Sequence, residues 1–140
     1  DAVSKEDVKY RNKLSKKYEL NENVIFLGKI PHKDLPSLMN RYSFHINATP
    51  EGFYDKSVLE AISGGLFSLY ANKDYDKHFK KDMHFLTKFE LNQRSLTDVL
   101  NLVYEQEDKK ILRIIEYSQL SVSKESIQTL FERIVATVER

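Results

Sequence analysis

The chain has 140 residues, with 22 Lys and Arg against 21 Asp and Glu, four Gly, three Pro and neither Cys nor Trp. That length suits one domain, residues 1–140, burying roughly 68–70% of its unfolded surface; the missing Cys excludes a disulfide scaffold, a thiol nucleophile and a Cys-built zinc site. A formal net charge of +1 lacks the basic surplus of a nucleic-acid binder, and no apolar run nears the roughly 18–20 residues of a membrane span.

Asp1 rather than Met opens the sequence, as expected of a piece of a longer protein. From Ser4 to Tyr18 the chain is polar and Lys-rich, with Val8, Leu14 and Tyr18 at loose helical spacing, which predicts an exposed helix. After the polar break Leu20–Asn23, the run Val24-Ile25-Phe26-Leu27 stopped by Gly28 predicts a buried strand of a parallel sheet. A helix is expected from about Lys33 to Arg41, with Pro36 near its first turn and Leu35, Leu38 and Met39 on its apolar face. Ser43–Asn47 reads as a second strand, feeding the loop Ala48–Tyr54. Asp55 is the expected N-cap of a helix carrying Val58, Leu59, Ala61 and Ile62 to a stop at Gly64-Gly65. Leu66–Ala71 is the third predicted strand.

Beyond it, Asn72–Asp82 reads as a charged, aromatic loop, with Lys77, Lys80 and Lys81 solvated among Asp74, Asp76 and Asp82. Met83–Leu86 suggests a short edge strand. Ser95, with Asp98 three residues later, resembles a capping box before Leu96, Val99, Leu100 and Val103. A further helix is expected through Ile111, Leu112, Ile114 and Ile115. After Ser123, the residues Ile127, Leu130, Phe131, Ile134, Val135 and Val138 form a helical stripe.

Strand, helix, strand, helix, strand at this spacing argues an α/β domain with a parallel sheet. Ligands of such sheets sit at the carboxyl ends of the strands, near helix N-termini. That rule points to Lys29-Ile30, to Ala48–Tyr54 and to Ala71–Tyr75. His45 lies in a predicted strand and reads as a buried, hydrogen-bonded residue rather than a catalyst. His32, His78 and His84 lack partners at metal-ligand spacing, so no metal site is expected.

The stretch Asn47–Gly65 is the most specific part of the sequence. Thr49-Pro50-Glu51-Gly52-Phe53, then Leu59-Glu60-Ala61-Ile62-Ser63-Gly64-Gly65 and Leu66-Phe67, resemble the signature of family 4 glycosyltransferases, whose C-terminal domain has the GT-B fold. Asn23–Gly28 and Asp34–Leu38 resemble the same family's preceding strand and helix. The resemblance implies a Rossmann-like parallel sheet flanked by helices, the C-terminal domain of the fold, incomplete at its N-terminus. It implies a parent enzyme that moves a sugar from a UDP- or GDP-sugar to a glycan or lipid-linked acceptor, with retention, no metal and no further cofactor. The acceptor would bind through an N-terminal domain without counterpart in these residues, so this chain alone should not turn over. A cytoplasmic location follows, with peripheral membrane association of the parent enzyme through that other half.

By the same resemblance Glu60 accepts the two vicinal ribose hydroxyls, a task suited to one carboxylate, and Glu51 contacts the transferred sugar as the catalytic carboxylate. Eight residues separate Glu51 from Glu60 where the family has seven, so in strict register Gly52 takes the first Glu's place. Gly52 and Phe53 would border the donor, and backbone around Gly28 and Ile30 would meet the base. Lys56, in the first helical turn, opposes the helix dipole and faces either a donor phosphate or Glu60 at i+4. Each also has a plain reading: Glu60 as an exposed helical residue paired with a Lys, Gly52 as a turn glycine. The alternative for the whole chain is a non-catalytic GT-B-like domain serving as a partner-binding or scaffolding module.

Overall fold

The structure, a computed structural model, describes residues 5–18 and 23–124. The chain divides into two compact units, residues 1–35 and 36–140.

In the first unit, α1 (Lys5–Tyr18) has Glu6 and Asp7 in its first turn and Lys16 and Lys17 in its last, charges that complement the helix dipole. It buries no residue, in line with its sparse apolar positions. The expected strand Val24–Leu27 does not form. No ladder bonds reach it among the described residues, and its side chains stay 40%, 73%, 47% and 47% exposed. Apolar β-formers specify a strand only where a neighbour supplies the hydrogen bonds. A 3-10 turn, His32–Asp34, leads into α2 (Leu35–Met39), in which the division between the units falls. The expected helix thus exists, shorter and entered through a tighter turn.

The second unit holds the core. Strand β1 (Phe44–Asn47) pairs in parallel with β2 (Phe67–Tyr70), Phe44 opposite Phe67 and Asn47 opposite Tyr70. Between them runs α3 (Lys56–Ser63), whose Val58, Ala61 and Ile62 recur at helical spacing and are buried. The helix closes at Gly64, and Gly65 turns the chain into β2 at φ +83°, a backbone state open to glycine without strain. Every residue of β2 is buried, whereas Phe44 and Ile46 on β1 remain half exposed.

The α/β class therefore holds as two parallel strands flanked by helices, without the expected three-stranded Rossmann-like sheet. A third extended segment touches β2 at one place, a parallel bridge from Lys88 to Tyr70, with Phe89 N–H donating to Tyr70 O at 3.0 Å.

The segment after β2 departs most from expectation. Residues 72–82 form 3-10 turns, Lys73–His78 and the start of Lys81–Met83, and they bury Tyr75, His78 and Phe79. Tyr70 meets Tyr75 edge-on and stacks on Phe79 at 5.0 Å. Lys77, Lys80 and Lys81 stay exposed, as expected. Met83–Leu86 is not an edge strand: α4 (His84–Thr87) occupies it, with Leu86 and Thr87 buried and the Thr87 hydroxyl donating to Met83 O. The cap of helix α5 (Gln93–Tyr104) lies three residues before the expected one, because Asn92 supplies it by accepting from Ser95 N–H at 2.8 Å. Ser95 Oγ instead accepts from Glu90 N–H. Helix α6 (Asp108–Ser123) buries Ile114, Ser118 and Val122 along one face. The stripe Ile127–Val138 lies outside the described residues. No described helix is long and apolar enough to cross a membrane.

Candidate functional site

The carboxyl ends of β1 and β2 are tied together by three polar side chains, each from a residue at or just past a strand end. Asn47 closes β1 and is buried. Its Oδ1 accepts from the Thr49 N–H at 3.1 Å and from the Thr49 hydroxyl, and its Nδ2 donates to Asp55 Oδ2 at 3.0 Å. Asn72 follows β2 and is fully buried. Its Nδ2 donates to Pro50 O at 3.1 Å and to Phe53 O at 3.0 Å, while its Oδ1 accepts from Asp74 N–H at 2.9 Å. Tyr75 completes the set through Asp55: the phenol accepts from Asp55 N–H at 2.6 Å and donates to Asp55 O at 2.8 Å.

These bonds fix the loop Ala48–Asp55 and the entry to α3. Asp55 caps the helix as its sequence position predicts, Oδ1 accepting from Ser57 N–H at 2.9 Å. Burial alone would raise its carboxyl pKa; the Ser57 N–H, the Ser57 and Asn47 side chains and the nearby His45 outweigh it and hold the value below the ordinary one. Burial raises the Tyr75 phenol. Burial likewise lowers His45, against the pull of Asp55. His45 is half-buried rather than buried, and its Nδ1 has no hydrogen-bond partner among the described residues.

Glu51, Gly52 and Phe53 share one turn, closed by Phe53 N–H donating to Pro50 O at 3.3 Å. Gly52 stands third in it at φ +84°, the position where a type II turn demands a left-handed residue. No atom lies within 4 Å of where a Cβ would be, so the turn opens to solvent. Phe53 is 68% exposed. Glu51 is exposed and forms an ion pair with Lys73, Nζ to Oε2 at 2.6 Å; the hydrogen bond and charge of Glu51 raise the Lys73 pKa.

Lys56 is exposed in the first turn of α3, and Glu60 is half-buried one turn on, on the same face. The second unit thus gathers Glu51, Gly52, Phe53 and Lys56 around the start of α3, with Glu60 further along that helix. Gly28 and Ile30 belong to the first unit. There Gly28 borders a groove of about 680 Å³ walled by Ile25, Phe26 and Leu27 and by Arg11, Asn12 and Ser15 of α1.

Among the described residues, two grooves of the second unit border its strands or the loop after β1. One of about 240 Å³ opens beside Ala48, lined by Phe89, Leu91, Leu96, Asn92 and Gln93. The other, about 610 Å³ and mostly apolar, lies at the amino ends of the strands around Phe44 and Phe67, away from the polar network. Among the described residues no three His, Asp or Glu side chains converge as metal ligands.

Sequence reasoning pointed to the segment Ala71–Tyr75 but gave no individual role to Asn72, Lys73 or Tyr75, nor to Asn47. The available signal was the placement of an Asn at or just after the end of each strand, where its amide can replace lost ladder bonds. No family model matches the chain, and no curated protein or solved structure matches it significantly.

Proposed function

We propose that the chain is a nucleotide-binding α/β domain that receives its ligand at the carboxyl ends of β1 and β2. More particularly, it is the donor-binding C-terminal part of a family 4 GT-B glycosyltransferase. The parent enzyme transfers a sugar from a UDP- or GDP-sugar to a glycan or lipid-linked acceptor.

One observation carries this reading. The segment from Phe44 to Tyr70 runs strand, turn, capped helix, glycine turn, strand, with Glu51-Gly52-Phe53 in the turn and Glu60 inside the helix. That order is the one in which the signature residues can act on one ligand. Glu60 accepts the ribose hydroxyls through charge-assisted hydrogen bonds. The open backbone at Gly52 admits close approach, and the α3 N-terminus favours negative charge.

Thermal unfolding of the chain with UDP, GDP, ADP and CMP tests the reading. One of the diphosphates is expected to stabilise it, by about 2.7 kcal/mol at a hundredfold excess over Kd. Glu60→Ala should abolish the response. A chain indifferent to all four nucleotides, or a response intact in Glu60→Ala, sinks the assignment.

A further inference from the structure

Lys73 opens the 3-10 turn after β2, and its ammonium crosses to the Pro50–Phe53 turn to meet Glu51. Both side chains are more than half exposed. The backbone beneath each end is fixed, because Asn72 binds Pro50 O and Phe53 O with its amide and Asp74 N–H with its oxygen. Two long side chains therefore meet in water between fixed anchors. Such an exposed pair adds little to folding, so its partners exchange at small cost.

The charge around it bears on what could replace Glu51. An anion entering at the carboxyl ends of the strands meets the carboxylates of Asp55 and Glu51, and Asp74, next to Lys73, adds another whose charge acts on the same ammonium. Asp55 is engaged by Ser57 N–H and Asn47, and Glu51 is balanced by Lys73. Asp76, further along the turn, is paired with Lys88 at 2.8 Å. Lys56 adds an exposed cation at the start of α3.

We propose that the Glu51–Lys73 ion pair is the resting state of a diphosphate site: Lys73 leaves Glu51 to bind the phosphate oxygens of a nucleoside diphosphate group. Glu51, released, is then free to accept hydroxyls of the attached sugar. This rests on the donor-binding reading and adds to it a cation on the loop after β2.

Calorimetric titration with inorganic pyrophosphate, and separately with uridine and guanosine, tests the site in the wild type, Lys73→Gln and Glu51→Gln. Pyrophosphate is expected to bind the wild type, to weaken about tenfold or more in Lys73→Gln as a charge-assisted contact is lost, and to bind Glu51→Gln several-fold tighter. Rising salt should weaken it. Equal pyrophosphate binding by wild type and Lys73→Gln, no pyrophosphate binding at all, or weaker binding by Glu51→Gln overturns the proposal. The nucleoside arm separates the two readings. A nucleoside that binds through Glu60 while pyrophosphate ignores Lys73 refutes the cation alone. Lys73-dependent pyrophosphate binding without any nucleoside binding upholds the cation and refutes the donor reading. Both substitutions change exposed side chains, so their unfolding midpoints should match the wild type's.

Discussion

The hydroxyl of Tyr75 holds both backbone polar groups of Asp55, accepting from its N–H and donating to its C=O. A single side chain from the turn after β2 thereby does for Asp55 what a neighbouring strand would do in a wider sheet. Asp55 sits where the chain passes from loop to helix, a place where backbone groups lack regular partners. Tyr75 is anchored in turn, fully buried and stacked on Tyr54 at 5.1 Å. The start of α3 is thus positioned by the core through a phenol, and the residues that flank it inherit that rigidity.

Removing that oxygen should have a defined cost. In Tyr75→Phe the ring still fills its place, but Asp55 N–H loses its partner and Asp55 C=O keeps only the Val58 N–H at 3.3 Å. Leaving such groups unpaired costs about 1–3 kcal/mol, to be read as a lower urea midpoint at unchanged m-value. Amide exchange at Ser57 and Val58 should quicken more than at Val99 or Ile114, since the defect lies at the helix start. Uniform acceleration across the core would mean the hydroxyl has no local role.

The cap itself predicts a pH dependence. Asp55 has a folded-state pKa below its ordinary value, so its stabilising contribution is complete above the unfolded value near 3.9 and is lost as pH falls through the folded value. Asp55→Ala should therefore cost about 0.5–2 kcal/mol at pH 7, and the gap to the wild type should close in urea titrations below about pH 4. Asp55→Asn keeps an acceptor for Ser57 N–H but has no proton to gain. Its stability should lack this acid limb, and a limb of wild-type size in Asp55→Asn would place the titration elsewhere.

How much of this could be read from the sequence varied with the kind of signal. The β1–α3–β2 unit was legible because local and periodic cues agree: Asp55 at the cap, Val58, Ala61 and Ile62 on one face, Gly64-Gly65 at the stop. The run Val24–Leu27 misled because β-propensity says nothing about whether a partner strand is at hand. The 72–83 segment misled for the opposite reason. Tyr75, His78 and Phe79 stand at i, i+3 and i+4, as do Met83, Leu86 and Thr87, but the intervening Lys and Asp residues disguise a buried helical face as a charged loop. Of the site, the turn and helix residues were visible as a pattern. The network of Asn47, Asn72 and Tyr75 was not, since each acts on backbone groups 2 to 22 positions away.

The two glycines after α3 should respond differently to the same substitution. Gly65 has φ +83°, and its Cβ would meet nothing nearer than Gln119 Nε2 at 3.5 Å. Gly65→Ala should therefore cost about 1–2 kcal/mol through backbone strain alone. Gly64 has φ −74°, an ordinary helical value, and a Cβ there would touch Ala61 O and Glu60 O at 3.4 Å. Gly64→Ala also gains about 0.4–1 kcal/mol from a stiffer unfolded chain, so its net change should lie near zero. Paired thermal melts decide it; equal losses would mean that crowding rather than φ governs this turn.

Asn72 gives the sharpest contrast, because its amide donates to two carbonyl oxygens from a fully buried position. Asn72→Ala leaves Phe53 O and Asp74 N–H unpaired, and Pro50 O with the Phe53 N–H alone, and should cost about 1–3 kcal/mol. Asn72→Asp is close to isosteric, yet at pH 7 it sets a buried carboxylate against those two oxygens, a defect worth about 3–5 kcal/mol. Burial and the facing oxygens must raise the new carboxyl's folded pKa above its unfolded value near 3.9. Its protonated form can donate one hydrogen bond, so stability is greatest in acid and is lost as pH rises through the raised value. This slope is opposite to that of the Asp55 cap. Urea midpoints at pH 4.5 and pH 7 should thus show Asn72→Asp below Asn72→Ala at the higher pH and near or above it at the lower. A pH-independent Asn72→Asp would mean that the amide does not hold the loop by donating to Pro50 and Phe53, and the rigid turn that presents Glu51 and Phe53 would need another explanation.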